Sequence, residues 1–200
     1  VDDTPMDARQ VMVGGTTGIL GEWGPEDFNN TYENQITARK ALEKSKNAAT
    51  VRIGQRVGTA AVVELASAAG LTFEGGLQKF NATFLGRNPS SPEELCLAYT
   101  IFPNNGRRPE STHIIANIKD SSGALIYSPE VEVNSDPVID RFTAYQINSI
   151  LEEAMSVGPA KKAREKFELG DFPVAGKTGT EYNSTDNWFV GYTSEVTCVV

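Results

Sequence analysis

The sequence holds a single histidine, two cysteines and no long apolar run, and each scarcity excludes a class of function. A Ser-His-Asp triad could be built only on His113, and one histidine excludes a histidine-rich metal site. We expect His113 to be a structural strand residue. A membrane-spanning helix needs about 20 apolar residues, and no such run occurs, so we expect any anchor or targeting segment to lie outside these residues.

The two cysteines do not by themselves predict a disulfide. Cys96 falls on the apolar stripe of a predicted helix, whereas Cys198 falls in a strand pattern. We therefore predict two separate, small and buried apolar side chains.

Basic charge is also scarce. The chain carries 18 lysines and arginines against 26 aspartates and glutamates, which gives a formal net charge of −8. Nucleic-acid binding needs a basic surface that releases counterions from the phosphates, and the sequence supplies none. Lys40, Lys44 and Lys46 are too few for that role and are expected to form a solvated helix face. The charge balance therefore argues against a nucleic-acid partner.

Helix signals recur along the chain. The long predicted helix ends at the breaker Gly158-Pro159, and a basic stretch then leads through a loop to the last strands. Its apolar positions recur at helical spacing: Val138, Phe142, Tyr145, Ile150, Leu151 and Ala154. Several helix starts are marked by an N-cap residue or by a proline in the first turn: Thr37, Thr59, the capping box Ser91-Pro92-Glu93-Glu94, and Asp136-Pro137.

Strand signals are fewer. Residues 114–118 and 125–127 flank a short polar loop and predict a β-hairpin. Residues 173–180 and 188–200 predict a second strand pair. The sequence contains no internal repeat and no low-complexity linker.

The most informative feature is the run Lys177-Thr178-Gly179-Thr180 in that second pair. Its residue types suit an extended peptide that lies along the strand. Lys177 would place a cation beside a reacting serine or a carboxylate, and Gly179 would let another backbone approach and pair. Thr178 and Thr180 would donate hydroxyl hydrogen bonds to a C-terminal carboxylate, while the Thr180 N–H would form half of an oxyanion hole.

A second candidate element is Ser45-Lys46-Asn47, at the end of the first predicted helix. Residues two apart on a continuous helix point to different faces. Ser45 and Asn47 could therefore share one cleft only if the helix ends or turns here, and Asn47 tolerates such a turn. A Ser-x-Asn triplet alone carries little information, and it gains meaning from the downstream Lys-Thr-Gly-Thr run.

Together these motifs resemble the transpeptidase domain of class A, bifunctional penicillin-binding proteins. β-Lactamases and penicillin-binding proteins share a Ser-x-x-Lys, a Ser-Asp-Asn type and a Lys-Thr-Gly element. The last two occur here in the expected order, but no Ser-x-x-Lys occurs in the 200 residues, so the serine that the family acylates is missing from them. The resemblance runs through Trp23-Gly24-Pro25, Ile36 to Leu42, Ser45-Lys46-Asn47, Ser91 to Leu95, Ala98-Tyr99, Asn105-Gly106 and Ala175 to Tyr192.

The resemblance implies a role for each site residue. Ser45 would relay a proton to the leaving group beside Lys177, and the Thr180 N–H would help to form the oxyanion hole. Trp188 is expected to pack under the strand. No metal and no cofactor are implied. Residues expected to hold the donor peptide, its terminal carboxylate or a β-lactam mimic are Asn47, Thr178, Gly179 and Thr180.

The resemblance also implies an architecture, an α+β penicillin-binding protein and β-lactamase-like fold in which an antiparallel sheet packs against helices. Residues 1–200 are expected to form part of a single transpeptidase domain that is incomplete at both ends. The Ser-x-x-Lys segment and a glycosyltransferase domain are expected upstream of Val1, unless a companion chain carries the Ser-x-x-Lys. The parent chain is expected at the extracytoplasmic face of the bacterial cell membrane, anchored in it.

The implied function is that of a peptidoglycan D,D-transpeptidase region. It would bind D-Ala-D-Ala stem peptides and β-lactams and support serine acyl-enzyme cross-linking, although these residues alone would be inactive without the nucleophile. An alternative from another class is a non-catalytic homologue that binds peptidoglycan or a protein partner. A β-lactamase or a class B relative is disfavoured by the extended match over residues 186–192.

Overall fold

The computed structural model describes residues 1–6, 26–27, 31–72, 81–180 and 186–200. Trp23-Gly24-Pro25, part of the family resemblance, lies outside these ranges. The helices are α1 (Ala38–Glu43), α2 (Asn47–Val57), α3 (Thr59–Ala68), α4 (Pro92–Tyr99), α5 (Arg141–Val157) and α6 (Lys161–Lys166), with a 3₁₀ turn over Asn81–Leu85. The strands are β1 (Asp2–Asp3), β2 (Asn34–Gln35), β3 (Ile118–Lys119), β4 (Leu125–Tyr127), β5 (Ala175–Thr180), β6 (Asn187–Tyr192) and β7 (Thr197–Val199).

The first helix ends as the sequence predicts, but through a different residue. Thr37 is its N-cap and accepts a hydrogen bond from the Lys40 N–H at 3.1 Å, which confirms that cap. The turn after α1 is made by Ser45, whose φ of 55° lies in the left-handed region. Asn47, which would also tolerate a turn, is instead the first residue of α2.

Of two further predicted N-caps, Ser91 and Thr59, the first is confirmed and the second is wrong. Ser91 forms the predicted capping box with Glu94, since each side chain accepts from the other residue's backbone N–H. Thr59 does not cap α3. Gly58, with a φ of 90°, occupies the N-cap position there, and Thr59 is already helical.

The long helix α5 starts later than predicted. Asp140 caps it, because its carboxylate accepts from the N–H groups of Phe142 and Thr143, so the predicted start at Asp136-Pro137 is wrong. The predicted end is confirmed by Gly158 at the C-cap. Phe142 and Tyr145 share the apolar spacing but are exposed.

Helix α5 packs against the antiparallel sheet β5-β6-β7. Leu151 of α5, Ala175 of β5 and Tyr192 of β6 form one buried cluster. Lys177 pairs with Val190, and Gly179 pairs with Trp188. Trp188 is half-buried against this strand, as expected. The predicted pairing of residues 173–180 with the following strand is confirmed, but the run predicted over 188–200 divides into two strands, β6 and β7. β5 pairs on one side only among the strands described.

Several smaller expectations are corrected. The β3–β4 hairpin is confirmed but is shorter than predicted. His113 is exposed and lies outside every strand, with its ring 3.3 Å from the Ser111 hydroxyl. Cys96 and Cys198 are both free thiols, but Cys198 is exposed rather than buried. The basic stretch after α5 forms the short helix α6, and the expected loop follows it over residues 167–174. No helix in the described ranges is long and apolar enough to cross a membrane.

Candidate active site

The structure brings Ser45 and Lys177 into direct contact. The Lys177 ammonium donates a hydrogen bond of 2.8 Å to the Ser45 hydroxyl, although 132 positions separate them in sequence. The same ammonium donates to the Thr178 carbonyl at 2.9 Å. Proton transfer between side chains needs a heavy-atom separation of about 2.6 to 3.2 Å, so this pair is within range.

Helix α5 sets the separation of these two residues, because it packs against both α1 and β5. At its C-terminus, Gly158 lies so close to α1 that a Cβ there would sit 2.4 Å from the Glu43 carbonyl oxygen. Arg39 of α1 also donates to the Ser149 hydroxyl of α5 at 3.3 Å. A side chain at position 158 would therefore push the end of α1, and the Ser45 turn after it, away from the sheet.

Burial controls the charge of Lys177. Its pKa falls from an ordinary value of 10.5 to about 8 because desolvation penalises the charged ammonium. Its two acceptors, the Ser45 hydroxyl and the Thr178 carbonyl, are neutral and do not restore the charge. Both the charged and the neutral amine are thus accessible near neutral pH, which suits a group that passes protons.

The C-terminal end of β5, beyond Lys177, is accessible to solvent. Gly179 and Thr180 are exposed, and Thr178 is half-buried. By the two-residue period of strands, Thr178 and Thr180 share one face and Lys177 and Gly179 share the other, as expected. β5 has a neighbouring strand on one side only among those described, which leaves a backbone edge that can pair with an added peptide.

The glycines of β5 differ in what surrounds them. A Cβ at Gly176 would lie 2.8 Å from the Phe189 ring and 2.9 Å from the Val190 carbonyl oxygen, so packing requires glycine there. A Cβ at Gly179 would meet the Trp188 Cβ at an ordinary 3.5 Å. The fold therefore does not need a glycine at 179, and another reason for its presence has to be sought.

Asn47 is held by the protein itself. Its side-chain amide donates to the Glu26 carbonyl at 2.9 Å, and its side chain is half-buried. In the described part of the chain it makes no hydrogen bond with Lys177. The structure thus joins Ser45 to Lys177 directly and places Asn47 two residues further on, at the start of α2.

The expectation that Lys40, Lys44 and Lys46 form one solvated face is wrong for Lys46. Lys40 and Lys44 are partly exposed and pair with Glu33. Lys46 is buried, with its ammonium 3.3 Å from Asp3 Oδ2 and 3.2 Å from Asp27 Oδ2. Sequence reasoning missed this group because no local spacing connects Lys46 with two distant aspartates.

The described residues contain no group of three or more side chains that could hold a metal ion. The chemistry that this site offers comes from a hydroxyl, an amine and backbone groups. Such groups transfer protons and stabilise an oxyanion in acyl transfer.

Comparison with known proteins places this chain in a family. The family model for the penicillin binding protein transpeptidase domain matches residues 5–198. Penicillin-binding protein 1A of Rickettsia typhi is 30% identical over 198 residues, which cover 88% of this chain and 24% of that protein. Its namesake in Neisseria cinerea is 33% identical over 181 residues, covering 89% and 22%. The chain therefore spans about a quarter of the length of the curated relatives it matches.

Solved structures share the fold. Penicillin-binding protein 1A from Haemophilus influenzae has a TM-score of 0.81 at 21% identity, over 100% of this chain and 33% of that one. PonA1 from Mycobacterium tuberculosis has a TM-score of 0.75 at 20% identity, over 100% and 53%. Penicillin-binding protein A of M. tuberculosis, solved as an imipenem acyl-enzyme, has a TM-score of 0.71 at 18% identity, over 100% and 48%.

The chain belongs to the penicillin-binding protein transpeptidase domain family. The resemblance to class A penicillin-binding proteins is confirmed by the penicillin-binding protein 1A relatives. The expected α+β fold, an antiparallel sheet packed against helices, is confirmed as well.

Proposed function

We propose that the chain is the part of a peptidoglycan D,D-transpeptidase that binds the D-Ala-D-Ala stem peptide and supports its serine acyl-enzyme chemistry. The observation that carries the proposal is the 2.8 Å hydrogen bond from Lys177 to Ser45, beside a strand that pairs on one side only among the described strands. A family member with this fold, penicillin-binding protein A of M. tuberculosis, forms an acyl-enzyme with imipenem. The same site here is proposed to take β-lactams as mimics of the stem peptide.

In the proposed reaction, Ser45 and Lys177 move the proton. The nucleophilic serine attacks the carbonyl carbon of the D-Ala-D-Ala amide to form the ester bond, and the Ser45–Lys177 pair takes up its hydroxyl proton. The C–N bond then breaks as the departing D-Ala amine takes a proton from the Ser45 hydroxyl. Lys177, with a pKa of about 8, returns a proton to Ser45 and stabilises its charge. A neighbouring stem amine then attacks the acyl-enzyme, loses its proton by the reverse route and forms the cross-link.

Substrate placement is assigned to the exposed end of β5. An extended peptide pairs with the edge of β5 that no described strand occupies, and Gly179 has no side chain to block it. The Thr178 and Thr180 hydroxyls bind the terminal carboxylate, and the Thr180 N–H supplies one donor of the oxyanion hole. Asn47 holds the peptide amide through the side-chain capacity left after its bond to Glu26.

The nucleophile is proposed to come from outside these residues, because no Ser-x-x-Lys occurs among them. A Ser-x-x-Lys segment upstream of Val1 would complete the site, as would a companion chain. The parent protein is proposed to sit at the extracytoplasmic face of the bacterial membrane, where peptidoglycan is built, and to carry a glycosyltransferase domain.

The test is covalent labelling with a fluorescent penicillin, followed by mass spectrometry. The full-length protein is expected to gain one adduct on a Ser-x-x-Lys serine, and residues 1–200 alone are expected to gain none. An adduct on Ser45 would show that Ser45 is the nucleophile and would overturn its relay role. No adduct on the full-length protein, together with retained binding of peptidoglycan, would favour a non-catalytic binding module instead.

A further inference from the structure

Lys46, the middle residue of the Ser45-Lys46-Asn47 triplet, is buried although its neighbours border the candidate site. It is 6% exposed, and Asp3 and Asp27 beside it are 0% and 3% exposed. The Lys46 ammonium lies 3.3 Å from Asp3 Oδ2 and 3.2 Å from Asp27 Oδ2, and it also donates to the Thr31 carbonyl. We call these three side chains, Lys46, Asp3 and Asp27, the buried charge cluster.

The buried charge cluster also holds the backbone that follows Lys46. Asp27 Oδ1 accepts a hydrogen bond of 3.1 Å from the Ala48 N–H, in the first turn of α2. The Glu26 carbonyl, one residue earlier, accepts from the Asn47 amide at 2.9 Å. The short segment at residues 26–27 therefore fixes Asn47 and Ala48 as well as the Lys46 ammonium.

The backbone before Lys46 is where such support is needed. Ser45 has a φ of 55°, a conformation that residues other than glycine adopt rarely because the Cβ crowds the following carbonyl. Backbone of this kind persists when the surroundings hold it. Two local hydrogen bonds, from the Ser45 N–H to the Leu42 carbonyl and from the Lys46 N–H to the Ala41 carbonyl, close the end of α1, and neither connects the turn to α2.

We propose that Lys46 is a positioning residue that locks the Ser45 turn, so that the Ser45 hydroxyl meets the Lys177 ammonium. Lys46 does not reach the substrate, because it is buried and its ammonium is held by two carboxylates and a carbonyl. It acts through Ser45 and Asn47, which flank it in the chain. The activity readout of this proposal rests on the proposed function.

The test is a double-mutant cycle in the full-length protein, built from Ser45→Ala, Lys46→Met and the double variant. The measured quantity is the second-order rate constant of acylation by a fluorescent penicillin. Lys46→Met is expected to lower it by about 10- to 100-fold when Ser45 is present, since small misplacements of a catalytic group have effects of this size. On the Ser45→Ala background the further loss is expected to be about twofold or less, because a lost position of Ser45 no longer matters.

Equal losses on both backgrounds would overturn the proposal, because they would reflect a general effect on folding. Lys44→Met is the matched control, since Lys44 is a partly exposed lysine at the same helix end, and it is expected to change the rate less than about twofold. Lys46→Arg keeps the charge between the carboxylates and is expected to restore most of the rate. Failure of arginine to restore more of it than methionine does would also contradict the proposal.

Two further measurements keep the proposal testable. If Lys46→Met does not fold, the charge-neutral variant Asp3→Asn, Asp27→Asn, Lys46→Met replaces it, and a wild-type rate in that variant would overturn the proposal. If the unaltered protein is not acylated, the proposed function fails, and the position of Ser45 is then read from crystal structures of the wild type and the variant. A Ser45–Lys177 distance that stays near 2.8 Å without Lys46 would refute the positioning role.

Discussion

Two lysines, buried Lys46 and half-buried Lys177, lie on either side of Ser45, and their partners give them opposite properties. Burial lowers the pKa of Lys46, but hydrogen bonds and charge from Asp27 and Asp3 outweigh that effect and leave the pKa above its ordinary value. Lys177 has a hydroxyl and a carbonyl as acceptors, and burial lowers its pKa to about 8. One lysine therefore holds a fixed charge, and the other can gain or lose it.

The comparison shows that the partner decides the role of a buried lysine more than burial does. A lysine between two carboxylates is an anchor, because removing its proton would leave both negative charges uncompensated. A lysine beside neutral oxygens has a pKa near the working pH and can take part in proton transfer. The predictions below test whether this division of roles holds.

The largest effect is expected from Lys177→Met in the full-length protein. Loss of a positioned proton-transfer group lowers rates by about 10²- to 10⁴-fold, and we expect the penicillin acylation rate to fall by that factor. The wild-type rate is expected to show an inflection near pH 8 that the variant lacks. Stopped-flow fluorescence from about pH 6 to about pH 10, which spans about two units on either side of the Lys177 pKa, measures both quantities. Lys44→Met is the control. A loss below about tenfold would assign the proton transfer elsewhere.

The next effect concerns stability, for which Lys46 is expected to matter more than Lys177, whereas Lys177 matters more for the acylation rate. Lys46→Met leaves Asp3 and Asp27 buried without a cation, so we expect the free energy of unfolding to fall by about 3–5 kcal/mol. Lys177→Met removes a buried ammonium that has no carboxylate partner and is expected to cost less than about 1 kcal/mol. Calorimetry of the full-length variants decides between them, and equal losses would contradict the comparison.

A smaller pair of effects separates the packing glycine of β5 from the glycine assigned to substrate. Gly176→Ala forces a Cβ against Phe189 and the Val190 carbonyl and is expected to destabilise by about 1–3 kcal/mol. Gly179→Ala is expected to change stability by less than about 0.5 kcal/mol. Its acylation rate should nevertheless fall by about tenfold or more, because the new methyl group obstructs the pairing peptide. Normal acylation by Gly179→Ala would remove the argument for strand addition.

The local parts of this fold could be predicted from the sequence. The capping box at Ser91 and the helix end at Gly158 depend on residues within one turn of the chain, so the pattern contains the whole cause. The start of α5 shows the limit of such signals. Asp136-Pro137 and Asp140 both fit a helix start. The helix begins after Asp140 because its carboxylate accepts hydrogen bonds from the backbone N–H groups of the first turn.

The candidate site was predictable only in part. The pairing of Ser45 with Lys177 followed from motif order and family resemblance, since no local rule joins residues so far apart. The buried charge cluster was missed because a lysine among other lysines has the pattern of a solvated face. Its burial depends on two aspartates contributed by β1 and by the segment at residues 26–27, and only the assembled fold brings these together.

The smallest effect is the contribution of Lys177 to the pH dependence of stability, measured as the difference between the wild type and Lys177→Met. In the unfolded chain a lysine keeps its proton up to about pH 10.4, whereas folded Lys177 releases it near pH 8. Between these values the unfolded state binds more protons at this lysine, so Lys177 makes the free energy of unfolding rise with pH. The gain expected for the wild type relative to Lys177→Met is about 1–2 kcal/mol between pH 7.5 and about pH 9.5, somewhat less than a two-unit shift would allow because the side chain is not fully buried.

Lys46, whose pKa is raised, contributes stability that is present below the unfolded value and is lost only above it, so it does not interfere in this window. The tyrosines Tyr99 and Tyr192, whose pKa values burial raises, likewise act only above about pH 10. Burial also raises the pKa of the Cys96 thiol, which lowers stability as pH rises through this window, but Cys96 is present in both proteins and its contribution cancels in the comparison. A wild-type stability that falls, relative to the variant, across this window would mean that Lys177 is held charged by a partner, and the contrast between the two lysines would be lost.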